Sequence, residues 1–136
     1  MQVNNRFKKN LYFTQDHEWI DFQGSVAYTG ICRFKLTGFK SVEEIKFYDA
    51  AGIKMKGEII ASIHYKEYQI EAHMPVDGKI IQINDHFLEG KYELLLSEPE
   101  SIGWVALIIP FQPYERNGLL LPKEYSLNTK SKYAKS

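Results

Sequence analysis

The stretch GEIIASIHYKEYQIEAHMP, Gly57 to Pro75, contains two runs of alternating side chains on either side of Lys66 and Glu67. Alternation with a period of two marks a half-buried strand, and two such runs joined by two residues read as an antiparallel hairpin. With Lys66 and Glu67 at the centre of the turn, Ile59, Ala61, Ile63 and Tyr65 lie opposite Met74, Ala72, Ile70 and Tyr68. Every member of that face is apolar or aromatic. The other face sets Ile60, Ser62 and His64 opposite His73, Glu71 and Gln69, and is polar apart from Ile60. A slip of one residue would set the apolar side chains of one strand against the polar ones of the other, so the partition selects this register. Lys66 and Glu67 then form an exposed tip. A lysine at such an apex is within reach of a modifying enzyme and can carry an acyl arm, although charged residues populate most hairpin tips. His64 and His73 share the polar face without standing opposite each other, which argues against a metal site with Glu71, and no metal is expected.

The rest of the chain narrows the possibilities. Its 136 residues suffice for one domain with a hydrophobic core and are too few for two ordinary ones. Lysine plus arginine number 17, as do aspartate plus glutamate, so no basic excess points to nucleic acid or an anionic membrane. The single cysteine, Cys32, excludes a disulfide framework within the chain, fits a reducing compartment, and reads as a small buried residue rather than a nucleophile. No apolar run approaches the roughly 20 residues that span a bilayer, and the start MQVNNRFKKNLYF lacks a signal-peptide core. A cytoplasmic monomer is the expectation. No Ser/His/Asp set, glycine-rich phosphate loop or paired-carboxylate signature is present, so nothing demands an enzyme.

Aromatic and β-branched residues recur in the short runs LYF, SVAYTGI, EIKFY, GEIIASI, KIIQI and GWVALII, separated by glycine, proline, asparagine or aspartate. This is the pattern of a mainly β sandwich or small barrel of antiparallel strands. Two segments read as short helices: CRFKLTGFKSVEEI, interrupted by Gly38, and FLEGKYELLL. Trp19 and Trp104 are expected in the core, with His17 and Glu18 capping a local turn. Residues 1–122 form the expected domain. Residues 123–136, polar and lysine-rich without periodicity, read as a flexible tail.

Five segments in order carry a family resemblance: LYFTQDHEW (Leu11 to Trp19), GSVAYTGICRF, GIKMKGE before the hairpin, MPVDGKIIQIND after it, and YELLLSEPESIGWVALI (Tyr92 to Ile108). Together they resemble the H protein of the glycine cleavage system, a relative of lipoyl domains, over residues 11 to 110. The resemblance implies a flattened β barrel-sandwich hybrid with short flanking helices. It also implies a non-catalytic protein that carries an aminomethyl group on a lipoyl arm, attached to a hairpin lysine, and visits the glycine cleavage enzymes in turn. Lipoylation enzymes are implied as further partners.

The sequence departs from the family pattern at the tip. The family places its lysine eight residues before the proline that follows the hairpin, and counting back eight from Pro75 gives Glu67. Lys66 occupies the preceding position, and His64 stands for the glutamate that normally lies three residues before the lysine. Cys32 and Arg33 replace a typical threonine and aspartate. Glu67 has no amine with which to form the amide, so Lys66 is the candidate for lipoyl attachment. Three functions are compatible with these residues: a working carrier lipoylated on Lys66, an H-like scaffold or regulatory binding module without an arm, and a barrel recruited to unrelated binding.

Overall fold

The structure, a computed structural model, describes residues 11–49 and 52–127. Among the described residues, nine strands form two antiparallel sheets. The larger contains β1 (Leu11–Phe13), β2 (Glu18–Gln23), β3 (Val26–Ile31), β5 (Gly52–Lys54), β8 (Gly78–Ile83) and β9 (Ala106–Pro110), in the order β1-β2-β3-β9-β8-β5. The smaller contains β4 (Glu44–Phe47), β6 (Ile59–Tyr65) and β7 (Tyr68–His73), in the order β4-β6-β7. The mainly β class expected from the strand runs is the class observed; β2 and β5 lie outside both those runs and the hairpin. The main core contains Ile20, Ile31 and Ile108 from the large sheet with Ile45, Ile63 and Ala72 from the small one. The strands that line it turn side chains of the two sheets toward each other.

Helical structure is shorter than the sequence suggests. In CRFKLTGFKSVEEI only Arg33–Leu36 is helical, as a 3₁₀ turn. The φ of +95° at Gly38 breaks the path, and Glu44 and Ile45 already belong to β4. FLEGKYELLL divides at Gly90 into the ends of α1 (Asp85–Leu88) and α2 (Glu93–Ser97). Asn84 starts α1 by accepting a hydrogen bond from the His86 N–H, while its own side-chain amide donates to the Ile102 and Trp104 carbonyls.

A second apolar cluster forms around Leu11, Phe13, Trp19 and Cys32. Trp19 is fully buried, with its indole N–H donating to the Pro99 carbonyl at 2.8 Å. Its ring lies over Gly30, its partner on β3, where a Cβ would come within 2.7 Å of the indole. Trp104 is only half-buried, against Tyr28. Of the segment read as a tail, residues 123–127 continue a short helix that begins at position 122. Tyr125 stacks on Phe13 with ring centres 4.5 Å apart. Residues 128–136 lie outside the described residues.

Candidate functional site

The β6–β7 hairpin pairs Tyr65 with Tyr68, His64 with Gln69, Ile63 with Ile70, Ser62 with Glu71 and Ala61 with Ala72. These are the pairs that the face partition selects, and Lys66 and Glu67 are the two central turn residues. At the base the pairing departs from expectation. Ile59 faces His73 rather than Met74, because a bulge at Ile60 sets two residues of β6 against one of β7. The bulge also explains the one apolar member of the polar face: Ile60 is turned into the core at 1% exposure. It lies on the incoming strand, so the return from the tip to Pro75 is uninterrupted and Lys66 remains one residue away from the slot held by Glu67.

Both tip residues are exposed. Lys66 has a φ of +53° and Glu67 is not among the residues with positive φ, which excludes a type I′ turn. The Lys66 ammonium lies 5.4 Å from the centre of the Tyr65 ring, and its amine has no ion-pair partner among the described residues. Tyr65 and Tyr68 are nearly parallel, at 6.2 Å and 6°. Phe39 approaches both, with ring centres 6.1 and 5.8 Å away. This aromatic group supports the tip from the side of the Gly38–Phe39 loop, where Tyr68 packs against Gly38.

The two histidines go to different places. His64 Nε2 is 3.0 Å from the hydroxyl of Ser62, which also contacts the Tyr48 hydroxyl at 3.2 Å. Ser62 is fully buried, so this Ser–His contact is inaccessible to a substrate. His73 turns to Glu18, a residue that sequence reasoning assigned to a local cap. Glu18 instead lies between the sheets, 2% exposed, sharing the inward face of β2 with Ile20. Its Oε2 accepts from Lys35 Nζ at 2.9 Å, from His73 Nδ1 at 2.7 Å and from the His73 main-chain N–H at 2.9 Å. Thr14 donates to Oε1 at 3.3 Å.

Asp16, Glu18 and His73 bring their ligand atoms within 4.8 Å of one another, a grouping compact enough for a cation. Lys35 already supplies the positive charge at the Glu18 oxygen such an ion would use, and the arrangement reads as a neutralised tie between sheets. Glu18, read within DHEW as part of a local turn, gave no sign of this role; the missing signal was the distant pair Lys35 and His73.

Cys32 is buried beneath Tyr125, with which it shares a hydrogen bond, and burial pushes its thiol far above the ordinary range. The Tyr125 hydroxyl also shares a 2.9 Å hydrogen bond with His17 Nδ1. The thiolate that nucleophilic chemistry requires is therefore disfavoured.

A family model described as glycine cleavage H-protein matches residues 11–132. A glycine cleavage system H protein of Caulobacter vibrioides is 32% identical over 110 residues, spanning 81% of this chain and 90% of the relative. That of Alkaliphilus oremlandii is 28% identical over 116 residues, spanning 85% and 90%. The crystal structure of a glycine cleavage system H protein from Mycobacterium marinum superposes with a TM-score of 0.73 at 19% identity, covering 88% of this chain and 96% of the other. At that identity the likeness speaks for the fold. Among the described residues no helix is long and apolar enough to cross a membrane.

Proposed function

This chain belongs to the glycine cleavage H-protein family, and from that premise we propose that it is a non-catalytic carrier whose Lys66 bears a lipoyl group and presents an aminomethyl group to the glycine cleavage enzymes. The observation that carries the assignment to Lys66 is its place at the tip. It is a central residue of the hairpin turn, exposed, with an amine held in no ion pair among the described residues. When bound, the lipoyl group supplies a thiol–disulfide pair at the end of a long flexible arm. The chain supplies the nucleophile for attachment. The neutral Lys66 amine attacks the carbonyl carbon of an activated acyl donor, a C–N bond forms, the bond to the activating group breaks, and the amine proton passes to solvent. Attachment removes the lysine charge and so ends its attraction to the Tyr65 ring, which leaves the arm free of the surface.

A second reading, a scaffold without an arm, is favoured by one observation: Glu67 occupies the slot counted from Pro75. The two readings separate in a ligase assay with lipoate and ATP. Incorporation in the parent and none in Lys66→Arg supports the carrier. Equal incorporation in both would place the arm elsewhere, and none in either, beside a modified H protein of regular spacing, would favour the scaffold.

A further inference from the structure

The hairpin tip holds a backbone conformation unusual for a residue that bears a side chain. Lys66 sits at φ +53°, a region that residues other than glycine seldom occupy. In a two-residue turn the N–H of the first central residue falls outside the strand ladder and normally faces water. Here it donates to Glu43 Oε1 at 3.0 Å. The Glu43 main-chain N–H in turn donates to the His64 carbonyl at 2.8 Å, one residue before β4 begins its pairing with β6 at Glu44 and His64. Glu43 therefore grips the hairpin twice, at the main chain of His64 and at the first turn residue. The same connection between Leu36 and β4 brings Phe39 against both tyrosines, so acid and aromatic ring reach the tip from one segment.

We infer that Glu43 is a positioning residue for the carrier lysine. Its carboxylate holds Lys66 in the left-handed conformation and so fixes the direction in which the amine leaves the tip. A strained φ persists only where its surroundings determine it, and among the described residues Glu43 is the side chain bonded to this N–H. The role is one of orientation, because the carboxylate meets the backbone and not the amine. The inference rests on the proposed attachment at Lys66 and names what makes a displaced lysine presentable.

The test compares the intact chain with Glu43→Ala, Glu43→Gln and Glu44→Ala. Glu44 is exposed, carries the same charge and pairs with His64 only through the ladder, which makes it the control for charge. Glu43 is itself exposed, so the variants retain the core. In unmodified ¹⁵N-labelled protein, Glu43→Ala should speed hydrogen exchange at the Lys66 amide by about three- to tenfold, the range a hydrogen bond of ordinary net strength supports. Glu43→Gln, which keeps an acceptor oxygen, should restore most of the protection, and Glu44→Ala should leave it unchanged. Lipoyl incorporation from lipoate and ATP by a ligase should fall in Glu43→Ala and recover in Glu43→Gln. Unchanged exchange in Glu43→Ala, or an equal effect from Glu44→Ala, would overturn the inference while leaving the carrier role intact. Altered exchange with no incorporation even in the parent would overturn the carrier role, and the positioning role with it.

Discussion

Glu18 and His73 join the two sheets through a single carboxylate oxygen, which accepts both the ring Nδ1–H of His73 at 2.7 Å and its main-chain N–H at 2.9 Å. β7 is an edge strand of the small sheet, so its outward N–H groups have no strand to pair with among the described residues. Glu18, from β2 of the large sheet, takes the place of that strand at His73, and Lys35 balances its charge. Glu18→Ala would leave Lys35, the His73 ring and an edge N–H without their acceptor. The expected loss is about 3 kcal/mol of folding stability, as for the breaking of a buried ion pair. Urea unfolding checks this, and a loss within about 0.5 kcal/mol, the range of ordinary surface changes, would mean that the tie is dispensable.

The bulge gives a second prediction. A regular ladder would aim Ile60 at the polar face, whereas the bulge buries it in the core. Ile60→Ala should then cost about 2–5 kcal/mol, in the manner of other large-to-small core changes. Ile59→Ala, at a partly exposed position, should cost clearly less. The reverse ranking in denaturant midpoints would argue for the unbulged hairpin.

The hairpin was legible because its signal is local: period-two alternation on both sides of two charged residues fixes face and register together. The bulge was not, because an inserted residue alters no composition, and Ile60 standing among polar partners was the one hint. Glu44 and Ile45 fell in two readings at once, the end of a helix through VEEI and the start of the strand run EIKFY, and pairing with β6 decides for the strand. The position of Lys66 was readable by counting. Its partner Glu43 was not, because the bond to the Lys66 N–H joins residues 23 apart in sequence through a connection whose path only the fold determines.

Burial raises the Cys32 thiol and the Tyr125 phenol above their ordinary values. For each, the stabilising neutral form is fully present below the pKa of the unfolded chain, and that contribution is lost as pH rises beyond it. For the thiol the loss starts at about pH 8.5 and proceeds at about 1.4 kcal/mol per pH unit. The stability advantage of the parent over Cys32→Ala should therefore shrink from pH 8 to pH 10 in urea unfolding. A constant difference would show that the thiol ionises as readily folded as unfolded.

Exchanging the tip residues, Lys66→Glu with Glu67→Lys, leaves net charge and the flanking faces unchanged. Stability should move by no more than about 0.5 kcal/mol. The amine then occupies the slot counted from Pro75, and the exchanged protein should be the better lipoyl acceptor in a ligase time course. Equal rates would mean that the position within the turn does not limit modification.

The carrier role is tested most directly by the intact mass of the protein purified from its own host during growth on glycine, followed by peptide mapping. One lipoyl increment on the peptide containing Lys66 is the expected result. An unmodified mass, with a regularly spaced H protein from the same cells fully lipoylated, would refute it, as would an increment mapped to Lys56, Lys79 or any other lysine.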